Sequence, residues 1–152
     1  MRRTVTTVAI LAFVGVALAS PAGADAVYHS EHIGLTPVGD AALHTGFVEN
    51  IHANGPTVFA LERYVLVGAT PRTQFDVALN LWVGDPTCSG LPMASLPTAS
   101  FWTNGVGNGV GMVALPPSAA EGLHGATLGI VWTISTGQEV AYRTACTEVV
   151  LD

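Results

Sequence analysis

Hydrophobic and polar residues alternate along most of this chain, and the alternation predicts strands. In "TQFDVALNLWV" Phe75, Val77, Leu79, Leu81 and Val83 share one face, with Asp76, Ala78, Asn80 and Trp82 on the other. A period of two marks a strand with one side buried. "ATLGIVWTI" gathers Leu128, Ile130, Trp132 and Ile134 opposite Gly129, Val131 and Thr133. "EVAYRTACTEVV" reads as one strand with Val140, Tyr142, Cys146 and Val150 on a common face. The "STGQ" between these two runs is a short turn signal, so they are expected to pair as a hairpin.

Upstream, "ALHTGFVENIHA" and "TVFALERYVLVG" flank "NGP" and form a second expected hairpin. Pro56 has no N–H to close a two-residue Asn-Gly turn, so a longer loop is expected there. A first strand lies around "YHSEHIGL", and residues 98–103 and 110–115 flank a glycine-rich stretch. "PPSAAEGLHG" offers one helical turn, entered through Pro116 and Pro117 and ended by Gly122 or Gly125. No segment sustains a helical period. Seven or eight short strands with turns between them predict an all-β, immunoglobulin-like antiparallel sandwich, a single domain over residues 25–152.

A local motif points the same way. "ATPRTQFDVAL" (residues 69–79) resembles the turn-into-strand motif of fibronectin type III and immunoglobulin-like domains. There a Pro, a Thr two residues on and a Tyr two further enter an alternating strand. Here those positions hold Pro71, Thr73 and Phe75, and Phe75 lacks the tyrosine hydroxyl. The resemblance implies the sandwich architecture and carries no function, because such sandwiches host unrelated roles.

The beginning of the chain changes the picture from fold to destination. Arg2 and Arg3, the apolar run "VAILAFVGVALA" and the small residues of "SPAGADA" have the layout of a secretory signal peptide over residues 1–24. Ala22 and Ala24 place cleavage after Ala24, and Ala24 with Ala26 offers a second site. The apolar run falls short of the ~20 residues that span a bilayer. The expected product is a secreted, extracellular protein with no membrane anchor after cleavage. It keeps three arginines and no lysine against eleven acids, a net charge of −8 with His neutral. Such a surface repels phosphates, which excludes nucleic acid and anionic lipid as expected partners. Cys88 and Cys146 are the chain's two cysteines, and an even count in a secreted chain predicts a disulfide.

Candidate chemistry is sparse. "FWTNGVGNGVGM" carries Gly105, Gly107, Gly109 and Gly111, but neither G-x-G-x-x-G nor a lysine-bearing phosphate loop. Asn104-Gly105 and Asn108-Gly109 predict a turn instead, with the tip left open between them. His29 and His32 lie three apart, which points strand residues to opposite faces. His44 and His52 are expected on the outer face of one strand, ~26 Å apart at 3.3 Å per residue. No metal and no cofactor is expected.

Glu49 and Glu62 would face each other if the hairpin centred between Gly55 and Pro56. Opposed carboxylates ~5–5.5 Å apart serve as acid and nucleophile in retaining glycosidases, which makes a hydrolase a distant alternative. A one-residue change of register separates them. There is no G-x-S-x-G, and Ser30 between His29 and Glu31 forms no triad along a strand. Trp82, on the polar side of its strand, and Trp102 with Asn104, at the glycine turn, are the candidate binding residues, because exposed aromatics stack on sugars or anchor proteins. The expected function is therefore non-enzymatic binding of an extracellular protein or glycan. The alternative is a structural or interaction component of a cell-envelope or extracellular assembly, joined through an exposed strand edge.

Overall fold

A computed structural model describes residues 29–52 and 57–151. The signal peptide and its cleavage at Ala24, and the Asn54-Gly55-Pro56 loop, lie outside the described residues. Nine antiparallel strands and one 3-10 turn make up the fold of the described residues. They are β1 (His29–Pro37), β2 (Thr45–His52), β3 (Ala60–Val67), β4 (Gln74–Val83), β5 (Ala94–Trp102), β6 (Gly109–Leu115), β7 (Thr127–Thr136), β8 (Glu139–Thr144) and β9 (Thr147–Val150). The 3-10 turn, Pro117–Ala120, stands where the proline pair predicts one, and both Gly122 and Gly125 have positive φ just beyond it.

The strands follow one path, β5-β4-β7-β8-β1-β2-β3-β6, with β9 also on β7. β1 makes the path continuous. Its first part, His29 to Gly34, pairs with β2, and Leu35 to Pro37 pair with β8. The two ends of the path, β5 and β6, come alongside each other without a hydrogen-bonded ladder, so the sheet is nearly a barrel. All-β antiparallel architecture is thus as the alternation predicts, while the two faces that a sandwich separates are here joined through β1.

The core is the inside of this near-barrel. Phe75, Val77, Leu79 and Leu81 of β4 are buried, as are Leu128, Ile130, Trp132 and Ile134 of β7. Trp132, Tyr64, Tyr142 and Phe75 are its largest fully buried side chains. Burying ~150–250 Å² of aromatic surface at ~25 cal/mol per Å² contributes about 4–6 kcal/mol each as an upper bound.

Two expectations about strand phase need correction. The last predicted strand is two strands, interrupted at Ala145 and Cys146, and β8 carries an extra residue, Ala141, where it passes Ile134 and Ser135 of β7. Each irregularity flips the side-chain phase. Tyr142 stays inward, but Val140, Cys146 and Val150 are exposed, and Val149 takes the buried place.

Candidate functional site

The site begins with the register of β2 on β3. Asn50 pairs with Glu62, and Glu49 pairs with Arg63. The loop is one residue longer than the register that would oppose the two glutamates, so every side chain of the hairpin changes partner. Glu49 is on the outer face, where Arg63 Nη1 donates to its Oε2 at 3.3 Å. Glu62 points inward and is 1 % exposed. The glutamate pair of the hydrolase reading is therefore not formed.

Inside, Glu62 is the centre of a polar group set in apolar walls. Tyr64, two residues along the same strand and on the same face, donates its hydroxyl to Oε2 of Glu62. The Tyr64 oxygen is 2.8 Å from Oγ1 of Thr98. Thr98 reaches it because β5 bulges there: Val77 pairs with Ala99 and Ala78 with Pro97, leaving Thr98 as the extra residue. Pro97 is tolerated in β5 because that strand ends the path and has a ladder on one side alone. Trp132 Nε1, buried and without a bond of normal geometry, lies near the same carboxyl.

Asn50, across from Glu62, donates from Nδ2 to Nε2 of His52 at 3.1 Å, while its Oδ1 is buried with no partner among the described residues. Glu31 follows in the same cross-strand row, opposite Asn50, and its Oε2 is also buried without a partner among them. His52 belongs to this interior, not to the outer face expected of it, and His44 lies in the turn before β2.

Burial pushes the Glu62 carboxyl above its ordinary range, and the Tyr64 hydroxyl and Trp132 N–H pull the other way. Burial, then the charge and hydrogen bond of Glu62, push the Tyr64 hydroxyl far up, so it stays a donor at all ordinary pH values. Among the described residues no arginine compensates. Those at 63, 72 and 143 are all exposed, and the chain has no lysine.

Beside this group lies a cavity of about 210 Å³. Leu79 and Leu81 of β4 with Leu128 and Ile130 of β7 form one wall, and Asn50 and Glu62 stand in the other. The chain between β6 and β7 closes the end, with Ala120 and Leu123 turned in, while Leu96 and Pro97 stand exposed at the rim. An apolar cavity with a few convergent polar groups and a shifted carboxyl is the usual form of a ligand site.

The residues singled out at the surface fall elsewhere. Trp102 ends β5 and is 64 % exposed, beside a shallow depression that includes Val65, Val110, Asn104 and Asn108. Asn104 Oδ1 accepts from the backbone N–H of Val106 and of Asn108, and Asn108 Oδ1 accepts from the N–H of Gly68. The turn is thus held by side-chain-to-backbone bonds, and its positive φ falls on Gly107 rather than on Gly105 or Gly109. Trp82 is half-buried on the outer face of β4, its Nε1 shielded from solvent, and is not joined to Trp102 in one surface. Cys88 and Cys146 form the predicted disulfide, tying the β4–β5 loop to the break between β8 and β9.

Among the described residues, no group of three or more His, Cys, Asp or Glu is placed to hold a metal ion, and no helix is long and apolar enough to cross a membrane. No protein family, curated protein or solved structure matches the chain.

Sequence reasoning missed the cavity. The available signal was Glu62 in the phase of Ala60, Tyr64 and Leu66: an acid among the inward residues of "ALERYVL".

Proposed function

We propose that this is an exported binding protein that takes a small, mainly apolar molecule into the near-barrel. The observation that supports it is the cavity beside Glu62, with the Asn50 amide oxygen, unpartnered among the described residues, in one wall and leucine and isoleucine in the other. Its size sets the guest. About 210 Å³ exceeds the ~150 Å³ that holds benzene and falls below the ~300 Å³ where drug-sized sites begin. A single ring or a short chain fits. The test is uptake of ring compounds of that size by the folded chain, followed by protein NMR, with Leu96→Trp as the control. Leu96 is 42 % exposed at the rim, so a larger ring there blocks the mouth without overfilling the core. Uptake lost in L96W supports the reading; shifts unchanged by that substitution place binding elsewhere and remove it.

A surface partner is the second reading, and the exposed indole of Trp102 favours it. Beside it, the side-chain oxygens of Asn104 and Asn108 are committed to backbone, which fixes their amide nitrogens as donors. An indole face beside fixed donors suits a sugar ring, whose C–H face stacks and whose hydroxyls accept. Trp102→Ala abolishes retention on a glycan array under this reading and leaves cavity uptake intact.

A further inference from the structure

The polar wall of the cavity has a definite chemical bias. One buried acceptor lines it unfilled: Oδ1 of Asn50 has no donor among the described residues. Glu62, its cross-strand partner, brings a carboxyl beside it, since directly opposed Cβ atoms stand ~4.5–5.5 Å apart. Glu31 continues the row on β1 with a further buried carboxylate oxygen that has no partner among the described residues. The donors near Glu62, the Tyr64 hydroxyl and the Trp132 N–H, are uncharged. Among the described residues no arginine reaches this interior, and the ion pair Arg63–Glu49 is on the outer face. A buried carboxyl with no arginine or lysine counter-charge, next to an unfilled amide oxygen, complements a cation that also donates several hydrogen bonds.

We propose that the cavity is a site for a small protonated amine, its ammonium group held between the Glu62 carboxylate and Oδ1 of Asn50 and its ring or short chain lying against Leu79, Leu81 and Ile130. This rests on the reading of the cavity as a ligand site and names the class of ligand. An ammonium group has three donors, enough for both oxygens and a third acceptor. A metal ion is the poorer match, because the described residues assemble no ligand set for one.

Binding has a proton balance. Where the empty site carries a proton on Glu62, entry of the alkylammonium ion forms an ion pair with the Glu62 carboxylate and releases that proton to solvent. The titratable groups facing Glu62 are Tyr64 on its own strand, and His52 and Glu31 on β2 and β1. β4, β5 and β7 contribute leucines, isoleucine, Thr98 and Trp132.

The experiment is isothermal titration of the intact, disulfide-bonded chain with benzylamine, benzyl alcohol and phenylacetate, which share one ring. Each is run at a series of pH values from about 4.5 upward, where an alkyl amine is fully charged, in two buffers of different ionisation enthalpy. The expected result is benzylamine binding at least tenfold tighter than benzyl alcohol, no phenylacetate binding, and a buffer-dependent heat that reports proton release at the acid end of the series and fades as pH rises. Glu62→Gln is expected to abolish both the amine preference and the buffer dependence while benzyl alcohol still binds. The wild-type comparison stands without the variant, so an unfolded E62Q does not blunt the test. Benzyl alcohol binding as tightly as benzylamine overturns the amine assignment and leaves the cavity reading in place. No binding of any ring compound overturns both.

Discussion

A carboxyl placed where Glu62 sits makes stability depend on pH. Its folded-state value is raised above the ordinary 4.5, so the native state holds the proton more tightly than the unfolded chain does. Stability is then full below about pH 4.5, falls as pH rises from there to the folded value, and is flat above it. Each pH unit between the two values costs about 1.4 kcal/mol. Glu62→Gln removes that slope, so the variant gains on the wild type across this window, as read from urea midpoints at a series of pH values. Tyr64→Phe deletes a hydrogen bond that favours the ionised carboxyl, and is expected to extend the sloping region to higher pH in the same measurement.

Gly107 is a residue-level constraint of another kind. Its φ is +81°, and an added Cβ would overlap the carbonyl of Ala69, whose N–H donates to Gly107 O at 3.0 Å. Gly107→Ala is expected to cost roughly 2 kcal/mol or more, measured by thermal unfolding. The sequence showed that this stretch turns, but not which residue takes the positive φ. Two Asn-Gly pairs compete for the role, and the close approach of Ala69, thirty-eight residues away in sequence, decides it.

Among the elements, β5 and β6 meet through side chains. Gly109 and Gly111 face inward on β6, and the Phe101 ring of β5 occupies the space they leave. A Cβ on Gly111 would stand 2.5 Å from Cδ1 of Phe101. Gly111→Val is therefore expected to wedge the two strands apart at about 1–3 kcal/mol, and Phe101→Ala to cost about 3–5 kcal/mol by leaving a void. Chemical denaturation of both variants checks the pair. The inward phases of β4 and β7 were legible because each strand alternates without interruption over its buried length. The phase slips in β8 and β9, the bulge at Thr98 and the one-residue register of β2 on β3 were not. They are set by how strands meet, and the alternation of a single strand contains no record of its neighbour.

For the whole molecule, the Cys88–Cys146 bond spans 58 residues and was legible from the cysteine count alone. In the chain-entropy model a loop of that length contributes roughly 4 kcal/mol. The C88S/C146S double variant is expected to lose about that much, read from denaturation curves. The curve of the wild type under reductant should move to meet it. Closure of the sheet was less legible. β1 divides its pairing between β2 and β8, and two separate sheets would have shown the same alternation.

The seam between β5 and β6 also bears on how fast a guest exchanges. β5 carries the rim residues Leu96, Pro97 and Thr98, and it is laddered to β4 alone. A strand that borders the cavity is thus held by backbone bonds on one side alone and swings aside without breaking a second ladder, and its amides on the β6 side are expected to exchange with deuterium early. A covalent tie across the seam, remote from the cavity, would then slow entry and escape by the same factor. The occupied fraction at equilibrium would be unchanged, and only the residence time would lengthen.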